Sequence, residues 1–174
     1  MTTLATPPHA ETTVTPADLR LAAGQFATGV TIVTVVGPQG PRGMTANSFT
    51  SVSLDPPLVL VSIDLRRNTH ALLEQAERFA INVLATDHIL FSNRFASQKN
   101  DSKYEFTDLP HRLTVDGLPL LDGALAQFVC RRWAVYPGGD HKLFVGLVEE
   151  VHATSGAPLL YFAGQYHALG PALG

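Results

Sequence analysis

The sequence holds a single cysteine, Cys130, in 174 residues. No internal disulfide framework is possible, and such cysteine usage fits a reducing cytoplasm, where the protein is expected to reside. Cys130 lies in an apolar stretch and reads as a small buried hydrophobe rather than a nucleophile. Metal motifs are missing as well: His9, His70, His88, His111, His141, His152 and His167 are scattered, and neither HExxH nor CxxC occurs. No G-x-S-x-G elbow offers a serine nucleophile. Without G-x-G-x-x-G after the first predicted strand and without a P-loop, neither a Rossmann domain nor a P-loop nucleotide site is supported. Charge is scarce, at 16% of residues against roughly 25% in an average domain. With 45% apolar residues, this suggests a surface covered by a second copy, a homodimer. The net charge of −3 gives no reason to expect nucleic acid or an anionic membrane as partner. Apolar runs such as Pro57 to Ile63 are strand-length and too short to span a bilayer. Met1 to Val14 has neither a basic start nor an apolar core, so no secretory signal is expected.

The length predicts one domain, residues 15–174, behind a Thr-, Ala- and Pro-rich disordered tail, residues 1–14. Thr15, Pro16 and Asp18 predict a capped helix start, and Leu19, Ala22, Ala23 and Phe26 give it an apolar face ending at Thr28-Gly29. Val30 to Val36 is β-branched and reads as a strand, and the Gly/Pro turn after it predicts an antiparallel hairpin. The return strand, Gly43 to Pro57, alternates until Phe49, where its phase slips, predicting a bulge or bend. Leu58 to Asp64 reads as a strand buried on both faces. Asn68 is placed to cap a second helix, Phe79 to Leu84 is a strand, and Asp87 to Phe95 looks helical with Ile89, Leu90 and Phe91 as anchors. After an irregular, polar segment from Ala96 to Leu118, two long strands meet at Pro137 to Asp140, and two short ones flank Gly164. The expected class is mainly β with α-helices, an antiparallel barrel.

The remaining candidates are polar devices set in this apolar frame. Thr45-Ala46-Asn47-Ser48 is short-chained, so little stands above the backbone and main-chain N–H groups can meet a flat ligand. Arg66-Arg67-Asn68-Thr69 sits where a strand ends and a helix begins, a ready anion site. Lys99 with Arg94 and Lys103, the Asp140-His141 pair, and Tyr161, Gly164 and Tyr166 complete the set.

These devices, in this order, resemble the flavin reductase family with an FMN-binding split-barrel fold, which includes reductase components of two-component flavin-dependent monooxygenases. The matching pieces are FATGVTIVT (Phe26 to Thr34), GMTANSFTSVSLDPPLVLVSI (Gly43 to Ile63), FAINVL (Phe79 to Leu84), GDHKLFVGLVEEV (Gly139 to Val151) and PLLYFAGQYHAL (Pro158 to Leu169). The resemblance implies a homodimeric antiparallel Greek-key split barrel. It implies that Thr45, Ala46, Asn47 and Ser48 contact the isoalloxazine ring and that Ser62 and Asp64 face the ribityl and phosphate side. Arg67, Asn68 and Thr69 match the phosphate end. Phe95 and Lys99 match a segment covering the flavin tail. His141 matches the position that looks onto the nicotinamide, with Tyr166 near the same opening.

The implied activity is NAD(P)H:flavin oxidoreduction, with hydride passing from NADH, or less readily NADPH, to FMN or FAD. Reduced flavin would then go to a partner monooxygenase. Such chemistry needs no protein nucleophile, because the nicotinamide and the flavin carry it while the protein stacks them. Two other readings fit the same frame. One is a split-barrel oxidase of the pyridoxine-phosphate oxidase type, against which stands the lack of a second basic cluster. The other is a non-enzymatic flavin- or haem-binding module.

Overall fold

The structure, a computed structural model, describes residues 12–96 and 106–173. Helix α1 (Pro16–Ala23) starts on a capping box: Asp18 N–H donates to Thr15 Oγ1 at 3.2 Å, and Thr15 N–H to Asp18 Oδ2 at 3.1 Å. Two expectations for this segment fail. The helix stops at Ala23, and Thr28–Gly29 is a short strand, β1. Among the described residues the helix buries none of its own side chains, with Leu19 63% exposed and Phe26, beyond its end, 77%. Periodicity says that a face is apolar, not what covers it.

The chain continues through β2 (Thr31–Gly37), β3 (Gly40–Ala46), β4 (Thr50–Leu54), β5 (Pro57–Asp64), α2 (Asn68–Gln75) and β6 (Arg78–Val83). A 3₁₀ turn at Thr86–His88 leads into α3 (Ile89–Ala96), followed by the ribbon β7 (His111–Leu113) and β8 (Pro119–Leu121). The long hairpin β9 (Ala126–Gly138) and β10 (His141–Ala153) precedes β11 (Leu159–Phe162) and β12 (Gln165–Ala168). Seven strands form one antiparallel sheet in the order β3-β2-β6-β9-β10-β5-β4, while β1, β11 and β12 make a smaller one.

The two edges of the large sheet, β3 and β4, are consecutive in the chain. Asn47 to Phe49 crosses between them, so the sheet curls into an antiparallel Greek-key split barrel with its seam at that crossing. This corrects the single bent strand expected over Gly43 to Leu54. The slip at Phe49 marks a change of partner, from β2 for residues up to Ala46 to β5 from Thr50 onward. A bulge does follow, between Ser51 and Ser53. Val52 and Leu54 then point outward, 51% and 93% exposed, instead of rejoining the core.

Val33, Val35, Met44, Val59, Val61, Ile63, Phe79, Ile81, Cys130 and Phe144 fill the barrel. Each larger one stabilises the fold by about 1.5–3 kcal/mol through burial. Strand β5 buries only one face, with Leu58, Leu60 and Ser62 half-buried, so it is not the doubly covered strand expected. That description fits β2 instead. A second cluster of Val30, Ile32, Leu84, Phe95, Phe106, Leu121 and Leu159 covers its outer side. Helix α3 belongs to this layer through Ser92 and Phe95, whereas Leu90 is 77% exposed. The 3₁₀ turn delays the helix to Ile89, and the buried stripe is phased from there. Helix α2, by contrast, starts one residue earlier than expected: Arg67 occupies the cap position and Asn68 is the first helical residue. Cys130 is fully buried, and burial pushes its thiol up to about 12, as expected of an inert hydrophobe. Among the described residues, no helix is long and apolar enough to cross a membrane.

Candidate active site

The seam gathers most of the predicted residues. Strand β3 delivers Thr45 and Ala46 to its edge, and small side chains keep that edge low. Two hydroxyls fix the strand from behind. Thr31 Oγ1 donates to the Ala46 carbonyl at 2.7 Å, and Thr45 Oγ1 donates to the Ser92 carbonyl at 2.7 Å. Beyond Ala46 the strand ladder stops and side chains replace it. Ser48 Oγ donates to the Ser62 carbonyl at 2.8 Å and accepts the Ser62 N–H at 3.1 Å. One hydroxyl thereby continues the β4–β5 pairing past its last rung, Thr50 opposite Leu60.

The opposite wall comes from the ends of β5 and β10. Gly139, with φ 73°, lets the β9–β10 hairpin turn in two residues, and the register sets His141 beside Asp64. The turn is tied down by Leu65 N–H donating to the Asp140 carbonyl at 3.0 Å. A cleft of about 220 Å³ results, lined by Met44, Thr45, Ala46, Asn47, Ser48, Ser62, Asp64, Arg67 and His141. A second cleft, about 190 Å³, shares Thr45, Ala46 and Asn47 and continues over Val30, Ala96, Tyr161 and Tyr166. Each alone is smaller than the ~300 Å³ at the low end of small-molecule sites, but together they exceed it.

Asp64 accepts from Arg66 through Nε at 3.0 Å and Nη2 at 2.7 Å, and from the Arg66 backbone N–H at 2.8 Å. These bonds hold its carboxyl well below the usual carboxylate range. Arg66 is thereby occupied. Arg67 is the cation that lines the cleft, and its Nη1 donates to the Ala96 carbonyl at 2.9 Å. Its cap position brings no side-chain hydrogen bond to the first turn of α2. His141 Nδ1 lies 2.7 Å from Asp140 Oδ1, a contact that lowers the Asp140 carboxyl. Arg94 is bound to Asp108 and stands apart from the clefts.

Of the predicted residues, Thr45, Ala46, Asn47, Ser48, Ser62, Asp64, Arg67 and His141 converge on one cleft. Tyr166 does not share the His141 opening as expected and lines the second cleft instead. Asn68 is exposed and Thr69 buried, and neither lines a cleft. Phe95 is 3% exposed and packs against Phe106, with ring centroids 4.9 Å apart. It sits beneath Gly43, where a Cβ would fall 2.6 Å from its ring, and so supports β3 from below. Lys99 lies outside the described residues.

Sequence reasoning missed Ser92 and Ala96, whereas Tyr161, a candidate beside Tyr166, does line the second cleft. Ser92 had one faint signal, a serine three residues before Phe95 on the buried face of a helix. A larger hollow of about 580 Å³, around Arg112, Gln127 and His152, contains none of the predicted residues. Two of its polar side chains are engaged within the fold, with Arg112 Nη2 donating to Gln127 Oε1 at 2.6 Å and Gln127 Nε2 to the Leu121 carbonyl at 2.7 Å.

A family model described as flavin reductase like domain matches residues 23–170. The chain is 44% identical over 147 residues to the FMN reductase (NADH) SmoA of Agrobacterium fabrum, covering 84% of this chain and 82% of that protein. It is 35% identical over 161 residues to HsaB, the reductase subunit of a flavin-dependent monooxygenase of Mycobacterium tuberculosis, covering 91% and 84% respectively. Among solved structures, the NADH:FAD oxidoreductase SgcE6 of Streptomyces globisporus, in complex with NAD and FAD fragments, superimposes with a TM-score of 0.83 at 38% identity. That match covers 89% of this chain and 93% of the other. From its motifs, its split barrel and these relatives, the chain belongs to the family of flavin reductase-like domains.

Proposed function

We propose that this protein is an NADH:flavin oxidoreductase that supplies reduced flavin to a partner monooxygenase. The observation that carries the reading is the seam cleft. A floor of small residues from Thr45 to Ser48 lies between one cation, Arg67, and one imidazole, His141. The donor set suits a flavin mononucleotide moiety. Arg67 and the start of α2 favour a phosphate, the Ser48 and Ser62 hydroxyls suit a polyol chain, and the low floor admits a flat ring.

A bound flavin supplies the electron sink, taking a hydride from the nicotinamide and gaining negative charge at its pyrimidine edge. The residues of this chain orient the two reactants and offer donors at that edge. The Asn47 carboxamide is the exposed polar group on the floor. Preorganised donors of this kind stabilise charge that develops during reaction. His141 positions the nicotinamide half and has no covalent role. At that end Arg66 is paired with Asp64 and His141 lies against Asp140, so little positive charge is left for the extra phosphate of NADPH, which supports NADH as donor. Both FMN and FAD remain within this reading as acceptors. The partner role rests on relatives such as HsaB. A homodimer is supported by Phe26, Leu21 and Leu54, which are 77%, 72% and 93% exposed in the single chain. Light scattering on a sizing column tests that point.

Mixing the protein anaerobically with NADH and free flavin bleaches the flavin's visible band over many turnovers. Ultrafiltration then finds reduced flavin in the filtrate. Absence of bleaching with NADH and NADPH, each against FMN and FAD, overturns the proposal.

A further inference from the structure

Helix α3 holds three cleft-lining residues, Thr45, Arg67 and Tyr166, by hydrogen bonds, yet the Ser92 side chain does not enter the function as argued above. Ser92 is fully buried at its centre. Its carbonyl accepts Thr45 Oγ1 from the cleft floor at 2.7 Å, and its Oγ lies 2.7 Å from the Tyr166 hydroxyl on β12. One turn on, the Ala96 carbonyl accepts Arg67 at 2.9 Å. The serine thus joins the barrel edge to the small sheet that walls the second cleft.

Tyr166 is held from two directions. Tyr161, its cross-strand partner, meets its ring edge-on with centroids 5.6 Å apart. The turn between β11 and β12, with Ala163 at φ 48° and Gly164 at φ 84°, is a tight two-residue turn. These contacts limit where the ring can go. The Ser92 hydrogen bond is the polar contact that sets where its hydroxyl ends. A serine spends part of its burial on a hydroxyl that packing alone does not require, since alanine would fill the same helical position.

We infer that Ser92 is a positioning residue: it locks Tyr166 as the wall of the second cleft, and that wall sets flavin affinity. The inference rests on the proposed flavin site and adds a residue to it. Replacing Ser92 by alanine leaves the Thr45 tether intact, because that bond uses the Ser92 carbonyl. Only the link to Tyr166 is lost.

The test is a double-mutant cycle of Ser92→Ala and Tyr166→Phe, read by quenching of FMN fluorescence, by steady-state kinetics and by thermal melting. Each single variant raises the FMN dissociation constant by about 3- to 10-fold, the range expected for one hydrogen bond. The flavin KM rises in step, while kcat and the NADH KM hold. The double variant is no worse than either single, because both remove the same bond. A purely structural role would lower the melting temperature and leave the FMN dissociation constant at the wild-type value, which overturns the inference. Additive losses in the double variant overturn it as well. A wild-type protein that binds no flavin at all would refute the site itself, whereas normal wild-type binding with unaffected variants refutes only the role of Ser92.

Discussion

Replacing Ser48 by alanine removes a hydroxyl that serves as both donor and acceptor to one backbone residue, Ser62. Strand β4 begins only at Thr50, so on this side the Ser62 N–H and C=O have the Ser48 hydroxyl as partner. Each hydrogen bond contributes a net ~0.5–1.5 kcal/mol. Ser62 is half-buried and faces the cleft, so water can reach the vacated groups and the lower half of the range applies. The expected loss is about 1–2 kcal/mol, or roughly 2–8 °C in melting temperature for a chain of this size. Because both serines line the cleft, FMN binding weakens as well, by about 3- to 10-fold. Urea unfolding and FMN fluorescence quenching measure the two effects on one sample. Ser48→Thr keeps the hydroxyl and restores both. A Ser48→Ala protein that unfolds and binds flavin as the wild type does would refute the claim that this side chain closes the seam.

Arg67→Ala should weaken FMN binding by about 10-fold or more, the scale of a hydrogen bond to a charged group, while riboflavin, which lacks the phosphate, binds both proteins alike. Equal losses for the two flavins would place the phosphate elsewhere. Gly43→Ala puts a methyl group 2.6 Å from the Phe95 ring and 3.1 Å from Phe106. Both rings are buried, so the cost is about 1–3 kcal/mol in urea unfolding, and a neutral result would mean that the rings can retreat. Asp108 accepts from Arg94 at 2.5 and 2.9 Å, which lowers its carboxyl to about 2. A depressed carboxyl adds stability above the unfolded value of ~3.9 and loses it as pH falls through the folded one. The urea midpoints of wild type and Asp108→Asn should therefore differ at neutral pH and converge between about pH 4 and 2. A gap that persists at pH 2 contradicts the pairing.

The local signals in the sequence were sound where a short-range rule governs. The capping box at Thr15 and Asp18, the β-branched run of β2 and the hairpin at Gly139 all follow from neighbours within a few residues. The signals misled where the deciding contact is distant in sequence. Alternation through Val52 and Leu54 says that one face is apolar. Only the pairing of β4 with β5 shows that this face points away from the barrel. Leu19 and Phe26 likewise form an apolar face by spacing, and only the structure shows that both are exposed in the chain. Tyr166 is placed near the His141 opening only by the family resemblance, not by a local rule. The two in fact approach Thr45 to Asn47 through different clefts. Ser92 escaped notice because a lone serine in a helix has no pattern, and its meaning comes from Thr45 and Tyr166, 47 and 74 residues away.

The position of the site follows from the way the barrel fails to close. A fully closed sheet pairs every backbone group with a neighbouring strand and leaves nothing for a ligand. Here β3 and β4 are opposite edges joined by three residues, so the ladder is interrupted along that crossing. The interruption is managed by side chains: Thr31 on the Ala46 carbonyl, Thr45 on Ser92, and Ser48 on Ser62. Larger residues would fill the gap and smaller apolar ones would leave buried polar atoms unpaired. The short polar run Thr45-Ala46-Asn47-Ser48 meets both demands, keeping the seam low and satisfied. The slip in alternation at Phe49 is thus the sequence trace of the seam, and the same crossing that splits the barrel makes the floor of the cleft.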